Sequence, residues 1–238
     1  SKSGDIIMFH FKQFSVCQDG SAMKVGTDGV LLGAWAMVGN EECSILDIGT
    51  GSGVVALIVA QRNENAIIDA IDIDAEAVEQ AADNFELSPW GNRLSAQCSP
   101  LQEYNPPKKY KYIISNPPYF INSLKADGGR AVARHTDTLS YDDLIEGVLR
   151  LLDENGVFTA IFPYVESNIF VALAASKGLF CNKRLEVKGA ANKSVKRVLL
   201  CLSRNRIEDL PIDTLIIENG ERHIYTPKYI ELTKDFYL

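Results

Sequence analysis

The spacing of apolar residues changes along the chain and divides it into regions. Residues 6–18 alternate apolar and other side chains, which is typical of a short β-hairpin. Residues 30–38, VLLGAWAMV, are continuously apolar and indicate a helix, for which Thr27 or Asp28 could serve as the N-cap. From residue 44 onward, short apolar runs alternate with helically spaced segments, which indicates an α/β fold.

The alternating region predicts a series of strand–helix units. Strands are predicted at 44–49, 66–72, 93–98, 110–115, 156–162, 179–188 and 196–203. Helices are predicted at 53–64, 75–87, from 140 to near Gly156, and at 165–178, where Gly178 suits the C-terminal end. Repeated βα units favour a doubly wound, mostly parallel sheet with helices on both faces. In the tail, Asn219-Gly220 between two β-rich runs predicts a hairpin.

We therefore expect a single domain over residues 1–238, with a core flanked by two shorter parts. Residues 1–40 would form a hairpin and helix, 41–205 the core, and 206–238 a C-terminal hairpin and helix. The 46% hydrophobic and 23% charged composition fits a globular protein. No apolar run approaches the roughly 20 residues that a membrane span needs.

Five scattered cysteines and three histidines form no ligand pattern, so no metal site is predicted and the thiols suggest the cytosol. The net charge of −7 is unevenly distributed. Residues 177–206 hold nine Lys and Arg against one acid, which leaves 15 basic and 30 acidic residues elsewhere. Such a run is either a solvated face or a face that binds anions, most plausibly phosphates.

A glycine-rich turn lies between the strand at 44–49 and the following helix. LDIGTGSG places Asp47, Gly49, Gly51 and Gly53 where the backbone turns tightly and a ligand can approach closely. The GxGxG spacing differs from the GxGxxG dinucleotide fingerprint, which weakens a hydride-transfer interpretation. Asp72, at the end of the next strand, suits a ribose diol, whereas Asp74 is the better helix cap.

The strand at 110–115 ends on a rigid corner, Asn116-Pro117-Pro118-Tyr119. Proline cannot donate to a sheet ladder, so the strand must stop there. Asn-Pro is also a common way to open an ordinary turn. The upstream glycine loop and Asp72 make a functional corner the better interpretation.

With DIGTGSG, IDID and NPPY, the chain resembles the class I S-adenosylmethionine-dependent methyltransferases that modify exocyclic or amide nitrogens. The N-terminal FKQFSVCQDGSAMKVGTDGVLLGAWA, with SPW at 88–90 and RVLLCLS at 197–203, is more specific. These stretches resemble the bacterial tRNA1(Val) adenine-N6 methyltransferase family, over nearly the whole chain from about Phe9 to Leu238.

The resemblance implies a seven-stranded sheet with an antiparallel last strand, S-adenosylmethionine as cofactor and S-adenosylhomocysteine as product. Gly49, Gly51 and Gly53 would face its methionine part, and Asp72 its ribose. The other implied cofactor residues are Lys24, Thr27, Asp28, Asp47, Ile73 and Ser99. One departure is Pro100, where related sequences carry an aspartate for the adenine amino group; Ser99 or a backbone carbonyl could substitute.

The corner can hold a planar amino group for methylation. The lone pair of adenine N6 is delocalised, so transfer requires that it be aimed at the methyl donor. Asn116 Oδ1 could accept a hydrogen bond from one N–H of the amino group. The Pro117 carbonyl, whose direction proline constrains, could accept a hydrogen bond from the other. Tyr119 would stack on the base, for roughly 1–3 kcal/mol. No strong base is needed, because the nitrogen becomes acidic after methylation.

The predicted substrate is a tRNA anticodon loop, whose bases are already partly unstacked. We expect a monomer that contacts RNA phosphates outside the pocket. The candidate residues are Arg130 and Arg134 in a long loop after the corner, and Lys183, Arg184, Lys188, Lys193, Lys196 and Arg197 in the basic run. The loop is either a solvated connection or a flap over the substrate, and His135 within it is given no role.

Two alternatives remain open at this point. The glutamine amide of a release factor is also a planar NH2 group, and related NPPY enzymes methylate it. Those enzymes carry an N-terminal helical domain, for which residues before the glycine loop at 49 leave no room. The other alternative is a module that binds the cofactor and tRNA without turnover, of which Pro100 would be a sign.

Overall fold

An eight-stranded sheet forms the centre of the computed structural model, which describes residues 7–18, 26–117 and 139–238. The strands are β1 Ile7–His10, β2 Ser15–Gln18, β3 Ser44–Ile48, β4 Ile67–Asp72, β5 Leu94–Cys98, β6 Tyr110–Ser115, β7 Leu152–Pro163, β8 Phe180–Ala190, β9 Arg197–Ser203 and β10 Ile212–Glu218. The helices are α1 Thr27–Trp35, α2 Val54–Arg62, α3 Ala75–Leu87, α4 Tyr141–Leu151, α5 Tyr164–Ser176 and α6 Pro227–Thr233.

The strand order in the large sheet is β10-β8-β9-β7-β6-β3-β4-β5. Every neighbouring pair is parallel except those of β9, which runs antiparallel to both β7 and β8. The prediction of a doubly wound, mostly parallel sheet is confirmed. The sheet has eight strands rather than seven, because β10 adds a parallel edge strand next to β8.

The predicted hairpin at Asn219-Gly220 is wrong in its second strand. Gly220 has a φ of 78° and the chain does turn back, but only Glu218 and Tyr225 form a bridge. The return strand stops there because Thr226 caps α6, accepting a hydrogen bond from the Tyr229 N–H. Pro227 then begins the helix and has no N–H for a ladder.

Two apolar layers enclose the large sheet, one on each face. One layer joins the sheet to the β1–β2 hairpin and to α1, α2, α3 and α6. The other joins it to α4 and α5. In the first layer, Gly33 allows α1 to pack closely on α2, since a Cβ there would lie 2.9 Å from Ile58 Cβ. Helices on both faces therefore cover the sheet, as parallel strands require.

The predicted N-terminal hairpin forms, with β1 antiparallel to β2. Phe11 stacks on Phe14 and on Tyr237, at centroid distances of 4.6 and 5.9 Å. The Lys12 N–H donates to the Phe236 carbonyl (2.9 Å). The C-terminal segment thus holds the hairpin against the core.

Helix ends differ from the predictions at two places and agree at a third. Neither Thr27 nor Asp28 caps α1: Gly26 occupies the N-cap position and no side chain caps the helix. α4 ends at Leu151, before Gly156, because β7 begins at Leu152 by pairing with Tyr110. The prediction for Gly178 is confirmed: its φ is 91° and it follows α5. Among the described residues, no helix has the length and apolarity of a membrane span.

Candidate active site

The chain adds β4 and β5 on one side of β3, and then β6 and β7 on the other side. This switch in the order of the strands places a crevice at the carboxyl ends of β3 and β6. Ile48 of β3 is in register with Ile71 of β4 and Ser115 of β6. The next residues of these three strands, Gly49, Asp72 and Asn116, therefore share one level at the sheet edge. Neighbouring strands lie about 4.8 Å apart, so Asp72 and Asn116 stand about 10 Å apart with the glycine loop between them.

The glycine loop folds back onto β4 through its backbone. The N–H groups of Gly49 and Thr50 both donate to the Ile71 carbonyl, at 2.9 and 3.0 Å. Gly49 and Gly51 have φ values of 73° and 55°, and a Cβ on either would meet no atom of residues 7–18, 26–117 or 139–238 within 4 Å. Both glycines thus border open space at the crevice, which is the cradle that a ligand could fill.

Gly53 has a different reason to be glycine. Its φ is 89°, and an added Cβ would lie 2.6 Å from Phe85 Cε1 of α3. Packing between the start of α2 and α3 therefore accounts for this position. The prediction that the Gly53 backbone faces the cofactor stays a prediction.

Asp72 holds the loop and the start of α3 together. It accepts hydrogen bonds from the Gly51 N–H (2.9 Å) and from the Asp74 N–H (3.0 Å). A carboxylate has about four acceptor sites, so it retains capacity for a diol. Asp74 caps α3 by accepting from the Glu76 N–H, as predicted. Ile73 lies beside Asp72 with 48% of its surface exposed.

Asp47 supports the loop from below rather than facing the crevice, because only 2% of its surface is exposed. Its Oδ2 accepts a hydrogen bond from Thr50 Oγ1 (2.8 Å). Burial raises the pKa of Asp47 to about 7, opposed by the Thr50 bond and reinforced by the Asp72 charge. A folded-state pKa above the unfolded value means that folding favours the protonated form, so this group's contribution to stability falls as pH rises from about 4 to 7.

Ser99 follows β5 and stands beside Asp72 at the edge of the sheet. Its N–H donates to the Asp72 carbonyl (2.9 Å), and its hydroxyl donates to the Pro100 carbonyl (2.9 Å). While the hydroxyl donates in this way, the lone pairs of the Ser99 oxygen can accept a hydrogen bond from a ligand. An acceptor is what the amino group of an adenine requires.

Asn116 is half-buried and Pro117 is buried, directly after β6. Below them, the Ser115 hydroxyl donates to the Ile48 carbonyl (3.0 Å), which fastens the end of β6 to β3. Five predicted site residues lie outside the described part of the chain: Lys24, Pro118, Tyr119, Arg130 and Arg134.

Thr27 and Asp28 begin α1 near the glycine loop, since a Cβ on the neighbouring Gly29 would lie 3.1 Å from Val54 of α2. Thr27 is exposed. The Asp28 carboxylate accepts from Arg197 Nε at 2.9 Å. Two residues predicted for different ligands thus form an ion pair with each other.

Asn84 of α3 is a residue that the sequence analysis missed. It is fully buried, and its side chain accepts from the Cys17 N–H (2.8 Å) and donates to the Cys17 carbonyl (3.2 Å). It also donates to the Ser52 carbonyl of the glycine loop (2.8 Å). Asn84 thereby ties β2 to the loop. An amide at a core position of an amphipathic helix was the signal that could have found it.

The basic run at 177–206 does not form one surface. Lys177 pairs with Asp142 and Glu146, and Arg204 donates to the Leu152 and Asp153 carbonyls. Among the predicted RNA contacts, Arg184 is only 8% exposed and lies 3.4 Å from Glu186. Buried as it is, Arg184 is not placed to contact phosphates.

The remaining candidates for RNA contacts differ in their position along β8. Lys183 lies in the first half of the strand, with its Nζ 5.1 Å from the Trp35 ring centroid. Lys188, Lys193 and Lys196 lie at its carboxyl end and in the connection to β9, at the same edge as the crevice. Lys193 and Lys196 are exposed and Lys188 is half-buried. In the described part of the chain, none of these three forms an ion pair.

Comparison with known proteins shows the family to which this chain belongs. A family model for the methyltransferase small domain matches residues 27–160. A protein of Flavobacterium johnsoniae named tRNA1(Val) (adenine(37)-N6)-methyltransferase is 49% identical over 234 residues, covering 97% of this chain and 99% of that protein. The chain belongs to this methyltransferase family. A member from Trichodesmium erythraeum, with the same name, is 44% identical over 97% of both chains.

Solved structures agree with the methyltransferase fold. A predicted O-methyltransferase from Agrobacterium tumefaciens superposes with a TM-score of 0.70 at 19% identity, over 88% of this methyltransferase and 96% of that chain. A tRNA m1G37 methyltransferase from M. jannaschii gives a TM-score of 0.58 at 16% identity, over 87% and 57% of the two chains. At these identities the likeness concerns the fold alone.

Proposed function

We propose that this methyltransferase transfers a methyl group from S-adenosylmethionine to N6 of adenine 37 in tRNA1(Val). The observation that carries the proposal is the shared level of Asp72, Gly49 and Asn116 at the switch point of the sheet. A site for a nucleoside and a site for a planar amino group then lie within one crevice. The names of its full-length relatives support the same substrate.

The residues around the loop fit S-adenosylmethionine. A Cβ on Gly49 or Gly51 would meet no described atom within 4 Å, so the cofactor can contact the backbone directly. Asp72 has acceptor capacity left for the ribose hydroxyls. Ser99 Oγ would accept a hydrogen bond from the adenine amino group, the role that Pro100 cannot fill. Exposed Ile73 would pack on the adenine ring.

When bound, S-adenosylmethionine supplies an electron-poor methyl group on a sulfonium. Asn116 Oδ1 accepts a hydrogen bond from one N–H of the substrate amino group, and the Pro117 carbonyl accepts a hydrogen bond from the other N–H. These two acceptors turn the nitrogen lone pair toward the crevice and polarise the amine. The surplus proton leaves the nitrogen after methylation, so no strong base is required. Tyr119 remains a predicted stacking partner of the base.

The acceleration comes mainly from positioning. Holding two reactants in line can contribute about 7–11 kcal/mol in favourable cases. A neutral amide at 116 polarises the amine without placing a full negative charge beside the sulfonium. The fastening of β6 to β3 through Ser115 keeps Asn116 level with the loop. Lys188, Lys193 and Lys196 would bind phosphates of the tRNA outside the crevice.

The test is methylation of defined RNAs by the purified protein. Unmodified tRNA1(Val), the same tRNA with guanine at position 37, and a release factor are incubated separately with labelled S-adenosylmethionine. We expect label and N6-methyladenosine, by mass spectrometry of nucleosides, in the first RNA alone. Label on the release factor would favour glutamine methylation, and cofactor binding without any transfer would favour a non-catalytic module.

A further inference from the structure

Tyr164 is an exposed aromatic residue at the carboxyl edge of the sheet. It is the first residue of α5 and directly follows β7, with 41% of its surface exposed. Its N–H donates to the Lys196 carbonyl (3.2 Å), so its backbone is held at the level of the basic connection between β8 and β9. An exposed ring next to a loop of cations is a combination that single-stranded RNA can use.

A buried cation supports the ring. The Arg184 guanidinium lies 5.7 Å from the Tyr164 ring centroid. Arg184 is 8% exposed, and its Nε is 3.4 Å from Glu186 Oε2, which limits its movement. Tyr164 thus combines a cation–π contact with a partly exposed side chain.

Tyr164 lies at the same edge of the sheet as the crevice but outside it. Ser115 of β6 is in register with Ala160 of β7, so Ile161 shares the level of Asn116. Tyr164 is three residues further along, which raises its Cα about 10 Å above that level. Its ring lies toward Arg184 of β8, on the side of β7 away from β6. Lys196, in the connection that precedes β9, bonds to the Tyr164 backbone. An RNA strand that runs from a base at Asn116 to Lys196 would pass Tyr164.

We propose that Tyr164, supported by Arg184, stacks on an unpaired base of the RNA substrate that flanks the methylated adenine. The inference rests on the proposed function and adds a specific contact to it. Arg184 is then a positioning residue for the ring, which explains why a basic residue in this region is buried away from phosphates. Stacking of this kind tolerates any base, so it would position the loop rather than read its sequence.

The experiment measures affinity for a 17-nucleotide anticodon stem-loop and its rate of methylation. Tyr164→Ala should weaken RNA binding about 5- to 100-fold, and Tyr164→Leu should behave similarly because it lacks a ring. Tyr164→Phe and Tyr164→Trp should bind nearly as well as the wild type. Arg184→Gln should give an intermediate loss. Cofactor affinity and thermal midpoint, measured on each variant, separate these effects from misfolding.

A second measurement identifies the base. Abasic substitutions are introduced one at a time at the loop positions beside the target adenine. At one position the wild type should lose affinity while Tyr164→Ala loses nothing further. Ile169→Ala removes a side chain of α5 that is 38% exposed and serves as the matched control, with RNA affinity unchanged.

The outcomes distinguish the two proposals. If the wild type methylates the stem-loop but Tyr164→Ala binds it equally well, the stacking contact is absent and only the inference is overturned. Additive losses at every abasic position would overturn it as well. If the wild type methylates no RNA, the proposed function fails and the inference fails with it.

Discussion

The two halves of the carboxyl edge are built in different ways. At β3, β4 and β5, polar groups bond mainly to one another: Asp72 to Gly51 and Asp74, and Asp47 to Thr50. At β7, β9 and β8, the exposed Lys193 and Lys196 lie at the same edge as Tyr164, whose ring contacts Arg184. The first half is a fixed cradle, and the second is a surface of long side chains.

The difference matches the ligands proposed for each half. A small nucleoside cofactor gains specificity from a few hydrogen bonds whose geometry must be set in advance. A polyanion gains affinity from phosphate neutralisation and counterion release, which tolerates movement of each lysine. Substitutions should therefore have geometric effects in the first half and graded, salt-dependent effects in the second. Asn116 lies at the border between the halves.

The largest effect is expected at that border. Asn116→Ala removes one of two acceptors for the substrate amine and should lower turnover about 10²- to 10³-fold, by analogy with the loss of one preorganised polar group. Cofactor affinity should stay within about twofold, because Asn116 faces the substrate in this proposal. Single-turnover kinetics with titration of the cofactor would check both. Normal turnover would show that Asn116 has no such role.

Substitutions of Gly53 and Gly51 distinguish packing beneath the glycine loop from the surface of the loop that is open to the cofactor. Gly53→Ala places a Cβ 2.6 Å from Phe85 at a positive φ and should destabilise the fold by about 2–4 kcal/mol. Gly51→Ala meets no atom, so strain alone should cost about 1 kcal/mol, while cofactor affinity falls. Thermal or chemical denaturation measures the stability of each variant, and calorimetric titration measures its cofactor affinity. Equal losses of stability would remove the distinction.

Asp72 and Asp74 provide a matched pair of carboxylates. Asp72→Ala should weaken cofactor binding about 10- to 100-fold, because it removes a charged acceptor and frees the Gly51 N–H. Asp74→Ala should cost about 1 kcal/mol of stability through its cap, with cofactor affinity unchanged. Isothermal titration of both variants makes the comparison. A similar loss of affinity in both would mean that Asp72 acts only through the fold.

The smallest effects are expected from the lysines. Lys196→Ala should weaken tRNA binding a few-fold and reduce the salt slope by about 1, as loss of one phosphate contact does. Lys183→Ala is the control, because that side chain lies against Trp35 and away from the edge. Binding measured at several salt concentrations compares the two slopes. If both variants gave the same dependence of tRNA affinity on salt concentration, Lys196 would not contact the tRNA as proposed.

Local patterns explain which predictions succeeded. The strands and helices of the core follow from the spacing of apolar residues, and the crevice follows from the order of βα units. The Asn219-Gly220 hairpin failed because Thr226 and Pro227 start a helix and the free edge of β8 takes β10. The cap of α1 was mistaken because Asp28 pairs with Arg197, 169 residues away.

Residue types and their spacing therefore determined the fold class, the glycine loop, Asp72 and the Asn116–Pro117 corner. Each of these depends on backbone conformation over a few neighbouring residues. Only the tertiary structure decided that Gly53 packs on Phe85, that Asn84 ties β2 to the loop, and that the basic run divides into buried supports and exposed lysines. These outcomes depend on contacts between segments far apart in sequence, and a linear pattern carries charge and polarity but not the partner that each group meets.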